Sequence, residues 1–267
     1  MNVGPIDVSI LLPAFVAGLL VTATHVPLGM QVLARGIVFI DLAIAQIAGC
    51  GVLLADRVGF EAEGIAVQVA ALAAALGGAL LLTWTERRWP EVQEAVIGVV
   101  FVLAATGGVL LLASNVHGSE HLRDLLVGQI LWVRPQQLAW AAAVYAALLA
   151  IWFGIGPRLG RTGFYVVFAC AVTVSVQLVG LYLVFATLIV PPLATRTIAR
   201  RRLAIAWAIG AVGYAAGLAA SAALDLPSGP AVVWALVATA LVVYAIASWR
   251  ASRLRGVRTV EGEGRTT

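Results

Sequence analysis

Charge is what this chain has least of. Only 11% of its 267 residues are charged, 62% are apolar, and the mean hydropathy is +1.00. A water-soluble domain carries roughly 25% charged residues, so a soluble fold is excluded: there is too little polar surface to cover a core of this size. Lysine is missing altogether, and all 17 basic residues are arginine. A phosphate-binding P-loop ends in Gly-Lys-Ser/Thr, so the chain carries no standard nucleotide-hydrolysing site. The only two cysteines, Cys50 and Cys170, fall inside apolar runs; they read as small packing residues rather than a disulfide framework. The 27 glycines are dispersed without a three-residue period, which excludes a collagen-like chain. A pI near 9.6 does not point to nucleic acid, because the arginines are scattered between apolar runs. Residues Met1 to Asp7 hold no basic group, and no removable signal peptide is read there.

What is present is a succession of long apolar runs, each about the length of a membrane-crossing helix. Cutting at charged clusters and turn residues predicts an all-α polytopic membrane protein. Its spans fall at roughly 9–34, 36–55, 64–85, 94–113, 135–155, 164–180, 181–195, 203–223 and 229–249. The run from Phe164 to Pro191 is too long for one perpendicular helix, so a tight reversal is placed near Val179-Gly180. Leu122 to Val133 is too short to cross and reads as an external or re-entrant helix. Residues 1–250 form one transmembrane domain, and 251–267 a polar, disordered cytoplasmic tail.

Arginine placement orients the chain. With nine spans and the N-terminus outside, one face holds Arg35, Arg87, Arg88, Arg158, Arg161, Arg196, Arg200, Arg201, Arg202 and the C-terminal arginines. The other holds only Arg57, Arg123 and Arg134. Fusing the sixth and seventh spans would put Arg196–Arg202 on the wrong side, so the expectation is N-out and C-in.

Few residues carry chemistry. Asp41 is the one acid inside a span, and a charge there costs at least ~2.5 kcal/mol, which makes it a functional candidate. Counted from Arg35 at 1.5 Å per residue, Asp41 comes out about 9 Å deep. His25 on the first span and Gln46 on the second come out about 15–16 Å deep, level with each other. Imidazole and carboxylate suit divalent transition metals. The plainer alternatives are a histidine serving as hydrogen-bonding glue beside Pro27 and an Asp41–Arg35 pair. His117-Gly-Ser-Glu120-His121 matches a zinc-peptidase spacing, but its Gly-Ser interior in an external loop lacks the regular helix that chemistry needs. Cation capture at the outer mouth is its functional reading and a solvated loop its bland one. From Val190 to Arg202, Pro191 and Pro192 stop one helix and start a short, amphipathic, basic one, which reads either as an ordinary interfacial helix with a positive-inside cluster or as a cytoplasmic helix docking on a partner.

Several segments then carry a resemblance, in order and over nearly the whole chain: Leu33 to Gln46, Glu94 to Phe101, Leu125 to Leu131, Val179 to Thr195, and Leu226 to Pro230. The chain resembles the integral-membrane permease subunit of bacterial metal-ion ABC transporters of the zinc/manganese type. That resemblance implies two permease subunits lining a central path, separate cytoplasmic ATPases below, and an extracytoplasmic metal-binding protein above. It implies a multi-pass protein of the bacterial cytoplasmic membrane, touching lipid and no nucleic acid. Pro191, Pro192, Thr195, Arg196, Arg200 and Arg201 lie in the stretch similar to the family's coupling helix.

One departure matters. The family's second span carries an aspartate and, four residues on, a histidine that coordinate the metal; here those positions are Leu42 and Gln46, with Asp41 one residue early. One residue turns a helix by about 100°, so His25, Gln46 and Asp41 are taken as the replacement ligands. The expected function is ATP-driven movement, by import, of zinc, manganese or iron. Such a chain is not an enzyme and holds no permanent cofactor, the metal being its cargo. The rivals are the same architecture for a metal chelate, a proton-coupled carrier using Asp41 and His25, and an intramembrane metallopeptidase.

Overall fold

The computed structural model describes residues 8–60, 64–112 and 130–263. Regular structure among the described residues is all helical. The α-helices among the described residues are nine: α1 (Val8–Arg35), α2 (Ile40–Arg57), α3 (Ile65–Arg88), α4 (Gln93–Leu112), α5 (Pro135–Ile155), α6 (Gly160–Val179), α7 (Leu181–Ala194), α8 (Arg202–Leu224) and α9 (Ser228–Glu263). Seven are long and apolar enough to cross a membrane. Of the other two, α2 carries Asp41, Asp56 and Arg57 within its 18 residues. Helix α7 has 14 residues, a rise of about 21 Å against a hydrocarbon core of about 30 Å.

Side-chain contacts fix which helix ends meet. The Arg35 guanidinium at the end of α1 sits 4.2 Å over the Phe164 ring near the start of α6, a cation–π contact. Glu94 at the start of α4 accepts the Phe39 backbone N–H just before α2. Arg87 at the end of α3 donates to Thr162 at 2.9 Å, Arg161 approaches Glu86 at 3.9 Å, and Trp152 near the end of α5 packs on Phe164. The ends of α1, α3 and α5 thus meet the starts of α2, α4 and α6 at one end of the bundle, which carries Arg35, Arg87, Arg88, Arg158 and Arg161. Gly18 abuts Tyr214 and Gly210 abuts Thr22, so α8 runs antiparallel to α1. Helices α6 and α8 therefore both lead away from the arginine-rich end, and α7 is the return stroke between them. The reversal falls at Gly180, whose φ of +86° is open to glycine and strained for other residues.

Helix α6 is the most buried of the long helices, and α4, α5 and α9 are the least. The core is aromatic and aliphatic: Tyr145, Tyr165, Tyr214, Phe164 and Phe168 are among its largest fully buried side chains. Exposed tryptophans sit at both ends, Trp84 and Trp89 at the arginine-rich one and Trp132 and Trp140 at the other, as interfacial anchors do.

A buried amide ties three helices together. Gln93 accepts the Thr85 hydroxyl proton at 3.0 Å, donates to the Leu82 carbonyl at 3.0 Å and reaches the Tyr165 hydroxyl at 3.4 Å. Gln93→Leu removes all three bonds, each worth about 0.5–1.5 kcal/mol net, although the Thr85 hydroxyl and Leu82 carbonyl keep the 3.0 Å bond to each other. A clearly lowered melting temperature of the detergent-solubilised protein is the expected result.

Helix α9 continues past Arg250 to Glu263. One expectation changes. Pro191 and Pro192 do not start a new helix. They lie within the last turn of α7, where each gives up one i→i−4 bond, to the Thr187 and Leu188 carbonyls, but no further turn follows for the rings to disrupt, and residues 195–201 form turn and irregular chain rather than a helix. The external helix expected at Leu122–Val133 lies mostly outside the described residues, of which Ile130–Trp132 form one 3-10 turn.

Candidate functional site

The three proposed path residues lie on α1 and α2, and their surroundings differ. His25 has no exposed surface. Its Nδ1 lies 3.1 Å from the Val21 carbonyl, one turn back on α1, and 3.0 Å from the Thr24 hydroxyl. A carbonyl only accepts, so Nδ1 carries the proton and Nε2 keeps its lone pair. That Nε2 is buried with no hydrogen-bond partner. A ring held through Nδ1–H to a carbonyl with Nε2 free has the tautomer a metal ligand requires. The glue reading fits less well, since Nδ1 bonds within its own helix to Val21 and not to the Ala23 carbonyl, the one that Pro27 deprives of its helical N–H. Thr22, three residues back on the same face, is also buried with an unpartnered hydroxyl.

Asp41 stands in the first turn of α2, fully buried, and neither carboxylate oxygen has a partner. The alternative pairing with Arg35 does not form; Arg35 lies over the Phe164 ring instead. The positive end of the α2 dipole faces the carboxylate, and Glu94 on α4 approaches the same helix start through the Phe39 N–H at 3.3 Å. Sequence counting placed Asp41 too deep, because residues 36–39 form a turn rather than helix and contribute no rise. Gln46 moves toward the arginine-rich end for the same reason, about 9 Å along α2 from Ile40, and loses its level pairing with His25.

Burial sorts the faces of α2. Asp41 is sealed among neighbours, whereas Phe39 is 47% exposed and Leu42, Gln46 and Gly49 are half-buried. These four recur at helical spacing and form one less-covered stripe, with Phe39 stacked on Phe185 of α7 at 6.4 Å. The 100° turn between positions 41 and 42 is thus visible: Leu42 and Gln46 look outward and Asp41 inward. Among the described residues, no three of His, Cys, Asp and Glu come together as a metal-holding group. His117, Glu120 and His121 lie outside the described residues.

Sequence reading missed a set of buried hydroxyls. Tyr145 and Ser175 meet at 2.6 Å, joining α5 to α6, and Tyr214 and Thr187 at 2.9 Å, joining α8 to α7. Their only sequence signal was a hydroxyl inside an apolar span.

The end of α7 forms the second notable region. The Thr195 hydroxyl donates to the Pro191 and Pro192 carbonyls at 2.9 and 3.2 Å, and Thr195 is fully buried. Arg196, Arg200 and Arg201 are exposed, so the basic segment presents a charged surface although no helix carries it.

Residues 7–155 and 148–248 match the ABC 3 transport family. The chain belongs to that family. It is 27% identical over 245 residues to the uncharacterized membrane protein slr2045 of Synechocystis sp., a match covering 82% of this chain and 84% of that one. Its fold is similar to a chain of PsaBC from Streptococcus pneumoniae, solved in complex with Fab. There the TM-score is 0.69 and the identity 20%, over 88% of this chain and 89% of that one. It is also similar to a chain of a metal-chelate type ABC transporter in an inward-facing conformation. In that case the TM-score is 0.59 and the identity 13%, over 98% and 91% of the two chains. Family membership and the apolar helices make this a multi-pass protein of the cytoplasmic membrane and a permease of an ABC transporter. A permease of that kind works with ATPase and substrate-binding partners.

Proposed function

We propose that the chain is the membrane-spanning subunit of an ABC importer for a divalent transition metal: zinc, manganese or iron. Two copies line the path, cytoplasmic ATPases power it, and an extracytoplasmic binding protein loads it. The chain crosses nine times, N-out and C-in, and the metal passes as cargo rather than as a resident cofactor. The observation that carries this reading is the family match over both halves of the chain. It is supported by the gathering of Arg35, Arg87, Arg88, Arg158 and Arg161 at one end, as the positive-inside rule requires of a cytoplasmic face.

His25, Asp41 and Gln46 are the proposed path residues. In His25 a buried, unpartnered imidazole nitrogen of fixed tautomer is the chemical support. Outer capture by His117, Glu120 and His121, and ATPase coupling through Pro191, Pro192, Thr195, Arg196, Arg200 and Arg201, complete the assignment. A second reading, the same architecture carrying a metal chelate, is favoured by one observation. The half-buried stripe of α2 presents Leu42 and Gln46, and a carboxamide suits hydrogen bonding to an organic shell better than ligation of a bare cation.

The deciding experiment is uptake into proteoliposomes containing the chain, its ATPase and its binding protein, with zinc, manganese and iron offered free and as chelates. Saturable uptake of one free ion, lost in His25→Ala at normal expression, is the expected result. Uptake of chelate only would select the second reading, and ion-gradient-driven uptake without ATP would remove the ATPase-driven one.

A further inference from the structure

The four clustered arginines divide in the structure. Arg196, Arg200 and Arg201 are exposed, but Arg202 is turned inward and half-buried. Its Nη2 donates to the Pro192 carbonyl at 3.3 Å, while its Nε is buried with no partner. No carboxylate pairs with it among the described residues. A guanidinium Nε–H buried without an acceptor is costly, and an aliphatic side chain would avoid that cost. What a guanidinium offers at this position is a charge-assisted bond to the negative end of a helix.

The surrounding geometry shows what that bond closes. The last carbonyls of α7 are held from below by the Thr195 hydroxyl and from the side by Arg202. Between the two pins the exposed chain loops out and returns through Arg201, whose φ of 60° puts it in the left-handed region. A non-glycine residue held there reports a backbone constrained by its surroundings. Beyond the pins, Ala194, Ile209 and Ala240 form a buried cluster joining α7, α8 and α9. Gly29 of α1 packs directly against Leu188 and Pro192 of α7. Gly29 lies one turn from His25 on the same helix face.

We propose that Arg202 is a positioning residue of the transport cycle. By clamping the exposed basic loop to the Pro192 carbonyl, it makes the loop, the end of α7 and the Gly29 region of α1 move as one body. This inference rests on the reading of the chain as an ATPase-driven permease. The loop's outward arginines meet the partner, and Arg202 meets nothing outside the chain; its work is to pass the partner's motion inward.

The test uses the chain reconstituted with its ATPase and binding protein, and reads three quantities: ATPase subunit retained on purification, ATP hydrolysed, and cargo moved per ATP. Arg202→Ala is expected to retain the ATPase subunit at the wild-type level. Cargo moved per ATP should fall at least about fivefold, the lower end of a typical coupling energy. Arg202→Lys, which still donates to a carbonyl, restores part of the ratio and controls for folding. The combined Arg196→Ala, Arg200→Ala, Arg201→Ala variant is expected to lose the ATPase subunit instead. A wild-type transport ratio in Arg202→Ala overturns the proposal, as does loss of the ATPase subunit equal to that of the triple variant. Failure of the unaltered chain to retain any ATPase subunit removes the permease reading itself and this inference with it.

Discussion

Gly29→Ala should destabilise the protein more than the same methyl added at Gly18, the other glycine of α1, whose Cβ would meet the Tyr214 side chain rather than backbone. A Cβ at position 29 would overlap the Leu188 carbonyl oxygen and press on the Pro192 ring. The group it strikes is backbone, held by α7, and cannot rotate aside. Pro192 has no N–H to offer the Leu188 carbonyl, so that oxygen turns toward the next helix, and only a glycine lets α1 come close enough to meet it. The contact left is a weak Cα–H···O approach, worth little by itself but possible only with both backbones in close register. Overpacking a tight core costs about 1–3 kcal/mol, and a backbone clash belongs at the upper end of that range. Gly77→Ala is the control, since nothing lies within 4 Å of a Cβ there; replacing a helical glycine at such a place stabilises by about 0.5–1 kcal/mol. Thermal unfolding of the two variants in detergent, followed by size-exclusion chromatography, should move in opposite directions. Equal melting temperatures for Gly29→Ala and the unaltered chain would mean that α1 and α7 do not pack as described.

Asp41→Asn should raise stability while lowering transport, a combination that a purely structural aspartate does not produce. The carboxylate is fully buried and neither oxygen is bonded. Two effects oppose each other at this site. The α2 N-terminus favours a negative charge by about 0.3–1 kcal/mol, rising to ~2 in partly buried geometry. Burying a carboxylate away from water without a partner costs several kcal/mol wherever it lies along the helix. Desolvation is the larger, so the isosteric amide should melt higher, by an increment on the order of 1 kcal/mol. A residue kept against its own stability cost is being kept for use, and the use proposed is the cargo path. Uptake by Asp41→Asn in proteoliposomes should therefore fall well below the unaltered level. A lower melting temperature would sink this argument, since it would mean that the carboxylate has a stabilising partner after all.

Both predictions turn on residues whose identity was plain in the sequence and whose surroundings were not. Asp41 stood out as the one acid inside a span, but its depth was miscounted because residues 36–39 look as apolar as a helix and fold as a turn. Hydropathy measures transfer free energy and is blind to where a helix begins. Gly29 carried no signal, for close approach depends on which helix faces it and small residues recur throughout the chain. Pro191 and Pro192 were read as a helix start, yet a helix can also end on two prolines, which remove only their own two i→i−4 bonds when no turn follows. Which end of a helix they mark depends on how the chain continues. His25 was visible as a polar residue in an apolar run; the bond to Val21 that sets its tautomer was not.

The sequence by itself determined that this is a helical membrane protein and where each long helix runs. With 11% charged residues, the position of each charge is set by the cost of placing it in hydrocarbon, a local quantity that can be read residue by residue. The reversal at Gly180 was legible for the same reason, since an apolar run of that length cannot cross in one piece. Tertiary structure alone decided which side chains meet: Arg35 with Phe164 rather than Asp41, Gln93 with three partners on two helices, Arg202 with a carbonyl rather than solvent. Those pairings depend on the rotation and spacing of helices about one another, which close packing sets and composition does not.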